Sequence, residues 1–160
     1  MKNSYKIPAL LGITGALALA AVVFVLMAYA KTQPIEATDL KIDLDEFRSY
    51  AISGQLLAEQ SQNKRLPSIY FENQCELLQS NLQQNVNSLN QAQPGFQVAG
   101  VYLQGLSAAN SLSGDFGKLC DSFNNTNQLE KVRDTFNTLA EQFDNLSGKL
   151  NEWKNILIFF

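Results

Sequence analysis

A heptad repeat of apolar residues over the last 32 residues constrains this fold more than any other feature. Large apolar side chains recur there at alternating intervals of three and four residues, which is typical of a long helix that packs one stripe against other helices. At about 1.5 Å per residue the helix would be roughly 45 Å long. Asn127 and Glu130 have the spacing of a capping pair at its start. The repeat consists of Leu129, Val132, Phe136, Leu139, Phe143, Leu146, Leu150, Trp153, Leu157 and Phe160.

A repeat of this kind also occurs in dimeric coiled coils. With Leu129 at position a, Phe136 and Phe143 also occupy position a, where two-stranded coiled coils prefer Ile or Val. The flanking positions carry no alternating charge that would select a partner helix. We therefore interpret the repeat as one helix of a bundle within the chain, with the dimeric coiled coil as the alternative.

The N-terminal segment has the composition of a membrane span. Residues 7–30 contain no charged side chain, and a helix of the apolar run within them would be roughly 30 Å long, which matches the hydrocarbon core of a bilayer. Lys2 and Lys6 precede the run, so residues 1–6 are predicted to be a cytoplasmic tail. We then expect residues 31–42 to be a linker and residues 43–160 to be a bundle outside the cytoplasm, periplasmic or extracellular.

A cleavable signal peptide is the alternative for this segment. Residues 28–30 (Ala-Tyr-Ala) match an A-x-A cleavage site, although the apolar run is longer than the usual 7–15-residue signal core. Within the span, Gly12, Ala16 and Ala20 recur at every fourth residue, and this spacing permits close helix–helix packing. The alternative for these three is that Ala and Gly are simply common in membrane spans.

Three further helices are predicted between the linker and the last helix. The first begins near Asp43, which with Glu46 forms a D-x-x-E cap, and ends near Asn63. Alternating apolar residues at positions 40, 42 and 44 could instead form a short strand. The second helix spans residues 68–91 and ends ahead of a Pro-Gly turn.

Residues 96–123 fit two structures. Their glycines and β-branched residues suit a strand hairpin, but their apolar positions also keep the heptad spacing. We interpret them as a helix that is weakened or kinked at Ser113-Gly114 and Gly117.

The predicted fold is therefore all-α: one N-terminal transmembrane helix, then an exported up-down-up-down bundle with a long C-terminal helix. With four helices, the chain's end returns to the membrane surface. Trp153, Ile156, Phe159 and Phe160 are then candidates for contact with the bilayer interface. The alternative is that these residues cap the base of the bundle's own core.

Cys75 and Cys120 both fall in the exported part, where an oxidising environment favours a disulfide. Counted from residues 94–95, Cys120 lies about seven residues farther along than Cys75, or ~10 Å on straight antiparallel helices. A glycine-rich break at residues 113–117 could close that gap. The alternative is two buried thiols that act as small core residues.

No Asp, Glu, Lys or Arg occurs between Glu76 and Asp115. The polar positions there carry Gln, Asn and Ser, which can be desolvated without stripping water from a charge. We expect the second and third helices to contact a protein partner or a second copy, with Gln83, Asn87 and Gln104 as candidate residues. The alternative is an amide-rich composition without a role in binding.

Composition excludes several function classes. The chain has no His and a net charge of −3, so it offers neither the commonest general base and metal ligand nor a basic field for nucleic acid. We expect no enzyme activity, no cofactor, no bound metal and no nucleic acid. The lipid bilayer and other membrane or envelope proteins, or the chain itself, are the predicted partners.

The predicted function is that of a structural or adaptor subunit of a membrane or envelope protein complex. Two alternatives stay open. The layout of one span followed by an exported four-helix bundle looks like the ligand-binding half of chemoreceptors, and that resemblance implies a sensory, ligand-binding module. If the N-terminal segment is cleaved after Ala30, the chain would be a secreted helical effector.

Overall fold

The computed structural model describes residues 34–157, with side chains as far as residue 152. Over this range the chain forms four α-helices: α1 (Ala37–Gln62), α2 (Ser68–Gln91), α3 (Ala99–Cys120) and α4 (Thr126–Leu157). The described residues contain no strand, only an isolated bridge between Ile35 and Pro94. The predicted all-α helical bundle is confirmed for this part of the chain.

The helices pack in a ring in chain order. α1 lies against α2 and α4, α3 lies against α2 and α4, and α2 does not reach α4 across the diagonal. α1 and α4 run antiparallel, because the hydroxyl of Ser147 donates to Asp45 (2.7 Å) near one end and Gln62 donates to the carbonyl of Thr126 near the other. The α1–α3 diagonal is closer, and Gly105 leaves space for the side chain of Leu44.

The heptad stripe of α4 faces the interior of the bundle, as predicted. Phe136 and Phe143 are fully buried, with ring centroids 4.9 Å from Phe116 of α3 and 5.7 Å from Phe47 of α1. The stripe is therefore occupied by helices of the same chain. Its buried members are Leu129, Val132, Phe136, Leu139, Phe143, Leu146 and Leu150.

α1 begins at Ala37, more than one and a half turns before the predicted start near Asp43. Leu40 and Leu44 are fully buried while Ile42 is 60% exposed, a spacing that requires a helix and not a strand. The first turn is needed to bring Leu40 into the core, so the predicted D-x-x-E cap is wrong. Residues 37–42 belong to the bundle and not to a linker. The predicted end near Asn63 is confirmed.

The cap of α4 also lies elsewhere than predicted. The backbone N–H of Gln128 donates to the side-chain oxygen of Asn125 (3.1 Å), and the amide of Asn125 donates to the side chain of Gln128 (3.4 Å). The reciprocal pair that caps the helix is thus Asn125 and Gln128, two residues before the predicted pair of Asn127 and Glu130.

The second helix has the predicted bounds, and residues 96–123 are mainly helical, so the hairpin alternative is wrong. α3 continues without a break through Ser113, Gly114 and Gly117. No close neighbour surrounds the position of a Cβ at Gly114, so this glycine is not required by packing.

The predicted span, its small residues Gly12, Ala16 and Ala20, and the A-x-A site lie outside the described residues. At the other end, α4 is described as backbone through Leu157. The side chains of Trp153 and Ile156, and all of Phe159 and Phe160, lie beyond what the structure describes. The membrane roles predicted for them stay predictions.

Candidate functional site

The charged residues of the bundle are unevenly distributed among its helices. α1 carries seven Asp, Glu, Lys or Arg residues and α4 carries nine, whereas α2 and α3 together carry four. Those four are Glu72, Glu76, Asp115 and Lys118, all toward the disulfide. The exposed residues of α2 and α3 from Leu77 to Gly114 form a surface without charge, which we call the uncharged face.

Two leucines project from the uncharged face. Leu77 of α2 is 54% exposed and Leu103 of α3 is 64% exposed, although both helices bury other leucines completely. Exposed leucines surrounded by amides and hydroxyls resemble the composition of interface cores, from which charged residues are depleted. These two leucines were not among the predicted contact residues. Their positions off the heptad stripe, within a stretch of sequence without charge, are the signal that could have identified them.

The three predicted partner-face residues do not lie together. Gln83 and Asn87 are one turn apart on α2, and the amide of Gln83 donates to Asn87 (3.2 Å). Gln83 also accepts from the hydroxyl of Ser113 on α3 (3.0 Å), so it joins the two helices. Gln104 is nine residues from Ser113, which is two and a half turns, and therefore lies on the side of α3 away from α2.

The opposite side of the bundle, formed by α1 and α4, is charged and cross-linked by polar contacts. Arg48 pairs with Asp144 (3.2 Å), and Asp45 accepts from Lys41 (2.5 Å) and from the hydroxyl of Ser147 (2.7 Å). These groups are partly exposed, so each pair contributes little to stability, about 0–1 kcal/mol. They hold α1 and α4 in register and keep this side hydrated.

Two neighbouring carboxylates on α1 have opposite pKa shifts. Burial raises the pKa of Asp43, and the nearby charges of Glu46 and Asp39 raise it further. Burial also acts to raise the pKa of Asp45, but hydrogen bonds from Lys41 and Ser147 outweigh it, and the pKa is lowered overall. The folded structure thus disfavours the ionised form of Asp43 and favours the ionised form of Asp45.

The predicted disulfide between Cys75 and Cys120 is present, with Cα atoms 5.6 Å apart. The predicted break at residues 113–117 is not needed to bring the two cysteines together, because α3 is continuous there. Gln83 meets Ser113, and the side-chain oxygen of Gln79 lies 3.6 Å from Cys120 Sγ, so Gln91 at the end of α2 lies level with about Gly105. The offset between Cys75 and Cys120 along the two helices is smaller than predicted, because the first turns of α3 extend past the end of α2.

A cavity of about 560 Å³ opens beside this disulfide, where α2 begins and α3 ends. Its walls are mainly polar and include two carboxylates. A volume of this size can hold a small molecule, although most ligand sites have more apolar walls. The lining residues are Ser68, Glu72, Cys120, Asp121, Phe123, Asn124 and Asn125.

The opposite end of the bundle, which we call the Ile35 end, contains the segment before α1 and the α2–α3 connection, residues 92–98. Ile35 N–H donates to the carbonyl of Gln93 (2.7 Å), and Gly95 N–H donates to the carbonyl of Ile35 (3.3 Å). α4 approaches its C-terminus here too, since Leu150 and Asn151 line a small cavity together with residues 37, 38 and 41.

Tyr102 fastens the α2–α3 connection to α3. Its hydroxyl lies 2.8 Å from the carbonyl oxygen of Leu89 and 3.0 Å from that of Ala92, at the C-terminal end of α2. Burial raises the pKa of this phenol. The connection is thus tied down from both sides, by Ile35 and by Tyr102.

No family model, curated protein or solved structure matches this chain. The function proposed for it therefore rests on its own residues. Within residues 34–157, no group of three Cys, Asp or Glu side chains is placed to hold a metal ion. None of the described helices combines the length and the apolar character needed to cross a bilayer.

Proposed function

We propose that this protein is a structural or adaptor subunit of a membrane or envelope complex. In this proposal residues 7–30 anchor the chain in the membrane, and the bundle stands outside the cytoplasm and binds a protein partner or another copy. The proposal includes no catalytic step, cofactor or metal.

The observation that carries the proposal is the uncharged face. A partner that covers α2 and α3 between Leu77 and Gly114 desolvates amides and hydroxyls, which regain hydrogen bonds in the interface, and buries two leucines. Covering α1 and α4 would instead desolvate the charges of pairs such as Arg48–Asp144. Contact is therefore favoured on one side of the bundle.

The disulfide supports the proposed location. It joins α2 to α3, the two helices of the uncharged face, so it fixes the relative position of the surfaces that would contact a partner. Disulfides persist in oxidising compartments, which agrees with a bundle outside the cytoplasm.

Charge substitutions on the uncharged face test the proposal. Asn87→Glu, Leu103→Glu and Gln104→Glu each place a carboxylate where none exists, and Glu at position 87 can still accept the hydrogen bond from Gln83. Gln83 itself is unsuitable because it joins α2 to α3. Gln142→Glu on the charged α4 is the matched control, since Gln142 is also exposed.

The readout is co-purification of the tagged full chain from membranes in mild detergent, with the captured proteins identified by mass spectrometry. We expect wild type and Gln142→Glu to capture the same partner or a second copy, and at least one of the other variants to lose it. Capture that survives all three substitutions would contradict the proposal, as would a wild-type chain that purifies alone as a monomer.

The cavity beside the disulfide favours a second function, ligand binding by a sensory module. Glu72 and Asp121 in its wall would select a cationic or hydroxyl-rich small molecule. A ligand that binds the native state raises the melting temperature, so a thermal-shift screen of such metabolites tests this function. A shift that Glu72→Gln abolishes would support it, and the absence of any shift would count against it.

A further inference from the structure

The most exposed apolar side chain among the described residues is Phe96, in the α2–α3 connection at the Ile35 end. Its side chain is 98% exposed, so the ring touches almost nothing in the bundle. A phenylalanine ring offers a large apolar area that can be buried in a protein contact or at the boundary between lipid headgroups and acyl chains.

Phe96 projects from a connection that is held in place. Its neighbour Gly95 donates to the carbonyl of Ile35, and Val98, two residues later, is buried. Tyr102 holds the start of the connection at Ala92. The ring therefore projects from a fixed backbone, so a contact at Phe96 does not have to order the connection.

The same hydrogen bonds place Phe96 next to the point where the N-terminal segment joins the bundle. The proposed span ends at Ala30, and Ile35 is five residues later, which an extended chain covers in at most about 18 Å. Because Gly95 is bonded to Ile35, Phe96 lies close to the membrane surface whenever residues 7–30 cross the bilayer.

The chemistry of the connection suits a lipid surface. Residues 92–98 (Ala-Gln-Pro-Gly-Phe-Gln-Val) carry no charge, so the connection itself brings no charge to the bilayer, whereas the exposed Glu36 and Asp39 nearby stay hydrated. Structures that lie on a membrane surface bury Trp, Phe and Leu side chains at the boundary between headgroups and acyl chains.

We infer that the Ile35 end of the bundle faces the lipid and that Phe96 inserts into the headgroup region of the bilayer. This inference rests on the proposed membrane anchor, and it adds an orientation: the bundle stands end-on, with its disulfide end directed away from the membrane. A second contact at Phe96 would restrict the swing of a bundle tethered by a short linker.

Tryptophan quenching by brominated lipids tests the inference. The chain has a single Trp, so Phe96→Trp with Trp153→Phe leaves one indole, at position 96. The full-length double variant is reconstituted into phosphatidylcholine vesicles with and without bromine on the upper part of the acyl chains. The matched control is Leu77→Trp with Trp153→Phe, because Leu77 is also exposed but lies toward the disulfide end.

We expect the emission maximum of the indole at position 96 to shift to shorter wavelength in vesicles. In brominated vesicles its emission should lose much of its intensity. The indole at position 77 should keep its aqueous emission in both. An unquenched indole at position 96, or equal quenching at both positions, would overturn the inference, since equal quenching means that the bundle lies on its side.

Flotation of the same vesicles separates this inference from the proposed anchor. If the protein floats with the vesicles while position 96 stays unquenched, the anchor stands and the inference is wrong. If the protein does not float, both the anchor and the inference are wrong. The helical circular dichroism signal of each variant shows whether it is folded. The exchange at Phe96 should leave the fold intact because its side chain is almost fully exposed.

Discussion

Gly54 of α1 lies directly against the ring of Phe136 of α4. A Cβ atom at position 54 would come within 2.7 Å of the Phe136 ring, which is itself fully buried and packed on Phe116. The absence of a side chain at residue 54 is therefore what lets α1 approach the heptad stripe of α4. This contact links the most informative sequence pattern to the packing of the bundle.

Replacing Gly54 by Ala should destabilise the bundle by up to about 2 kcal/mol. The overpacking cost of about 1–3 kcal/mol exceeds the gain in helix propensity of ~1 kcal/mol. Thermal unfolding of the full chain in mild detergent, followed by the helical circular dichroism signal, measures the change. Gly114→Ala is the control, because no atom lies within 4 Å of its added Cβ, and it should stabilise by ~0.5–1 kcal/mol. A stabilising Gly54→Ala would contradict the packing described here.

Removing the disulfide should lower stability much more. The bond closes a loop of 45 residues, for which the chain-entropy model gives a contribution of about 4 kcal/mol. The double variant Cys75→Ser, Cys120→Ser should therefore unfold at a clearly lower denaturant concentration than wild type. Wild type measured in a strong thiol reductant should unfold at the same denaturant concentration as the double variant. If the free energies of unfolding of oxidised wild type and the double variant differ by less than ~1 kcal/mol, the disulfide has no structural role.

The two carboxylates on α1 predict opposite effects of neutralisation. Because the pKa of Asp43 is raised in the folded state, its charge opposes folding above that pKa, and Asp43→Asn should stabilise at neutral pH. Because the pKa of Asp45 is lowered, its charge contributes stability above the unfolded value of about 3.9. Asp45→Asn should destabilise at neutral pH.

The pH dependence of the two variants provides the sign check. The advantage of Asp43→Asn should shrink as the pH falls through the raised pKa, since wild type then becomes neutral at the same position. The deficit of Asp45→Asn should disappear as the pH falls below about 4, through the lowered folded pKa. Both effects should stay below ~1 kcal/mol because both sites are partly hydrated. Equal changes of the same sign would show that the local charges do not act as described.

The native Trp153 tests the predicted membrane contact of the C-terminus. It is the only Trp in the chain, so the emission of unmodified protein reports on it alone. If the end of α4 lies at the bilayer interface, brominated vesicles should quench this emission. Emission at short wavelength without quenching would instead place Trp153 in the base of the bundle's core.

Sequence periodicity was sufficient to predict the parts of the fold that depend on a continuous stripe. The stripe of α4 is buried as predicted from Leu129 to Leu150, and α2 buries Phe71, Cys75, Leu82 and Leu89 at heptad spacing. Stripes of this length are informative because each position must meet a neighbouring helix.

The errors lie where local signals compete. Asp43 and Glu46 have the spacing of a helix cap, but burial of Leu40 extends α1 past them. The register of α2 against α3 depends on a connection whose backbone pairs with Ile35, 60 residues earlier, and no local pattern reveals such a pairing. The exposure of Phe96 follows from that same connection and could not be predicted from periodicity.

The most direct test of a membrane-anchored bundle outside the cytoplasm is one intact-mass measurement. Free thiols are alkylated in living cells that produce the full chain, the membranes are washed with alkaline carbonate, and the protein is extracted and weighed. A retained protein with the 17.7 kDa mass of all 160 residues and without alkyl groups is the expected result, because the proposal requires an uncleaved anchor and the structure bonds Cys75 to Cys120. A protein that is released by the wash, that lacks its first 30 residues, or that carries two alkyl groups would contradict the account.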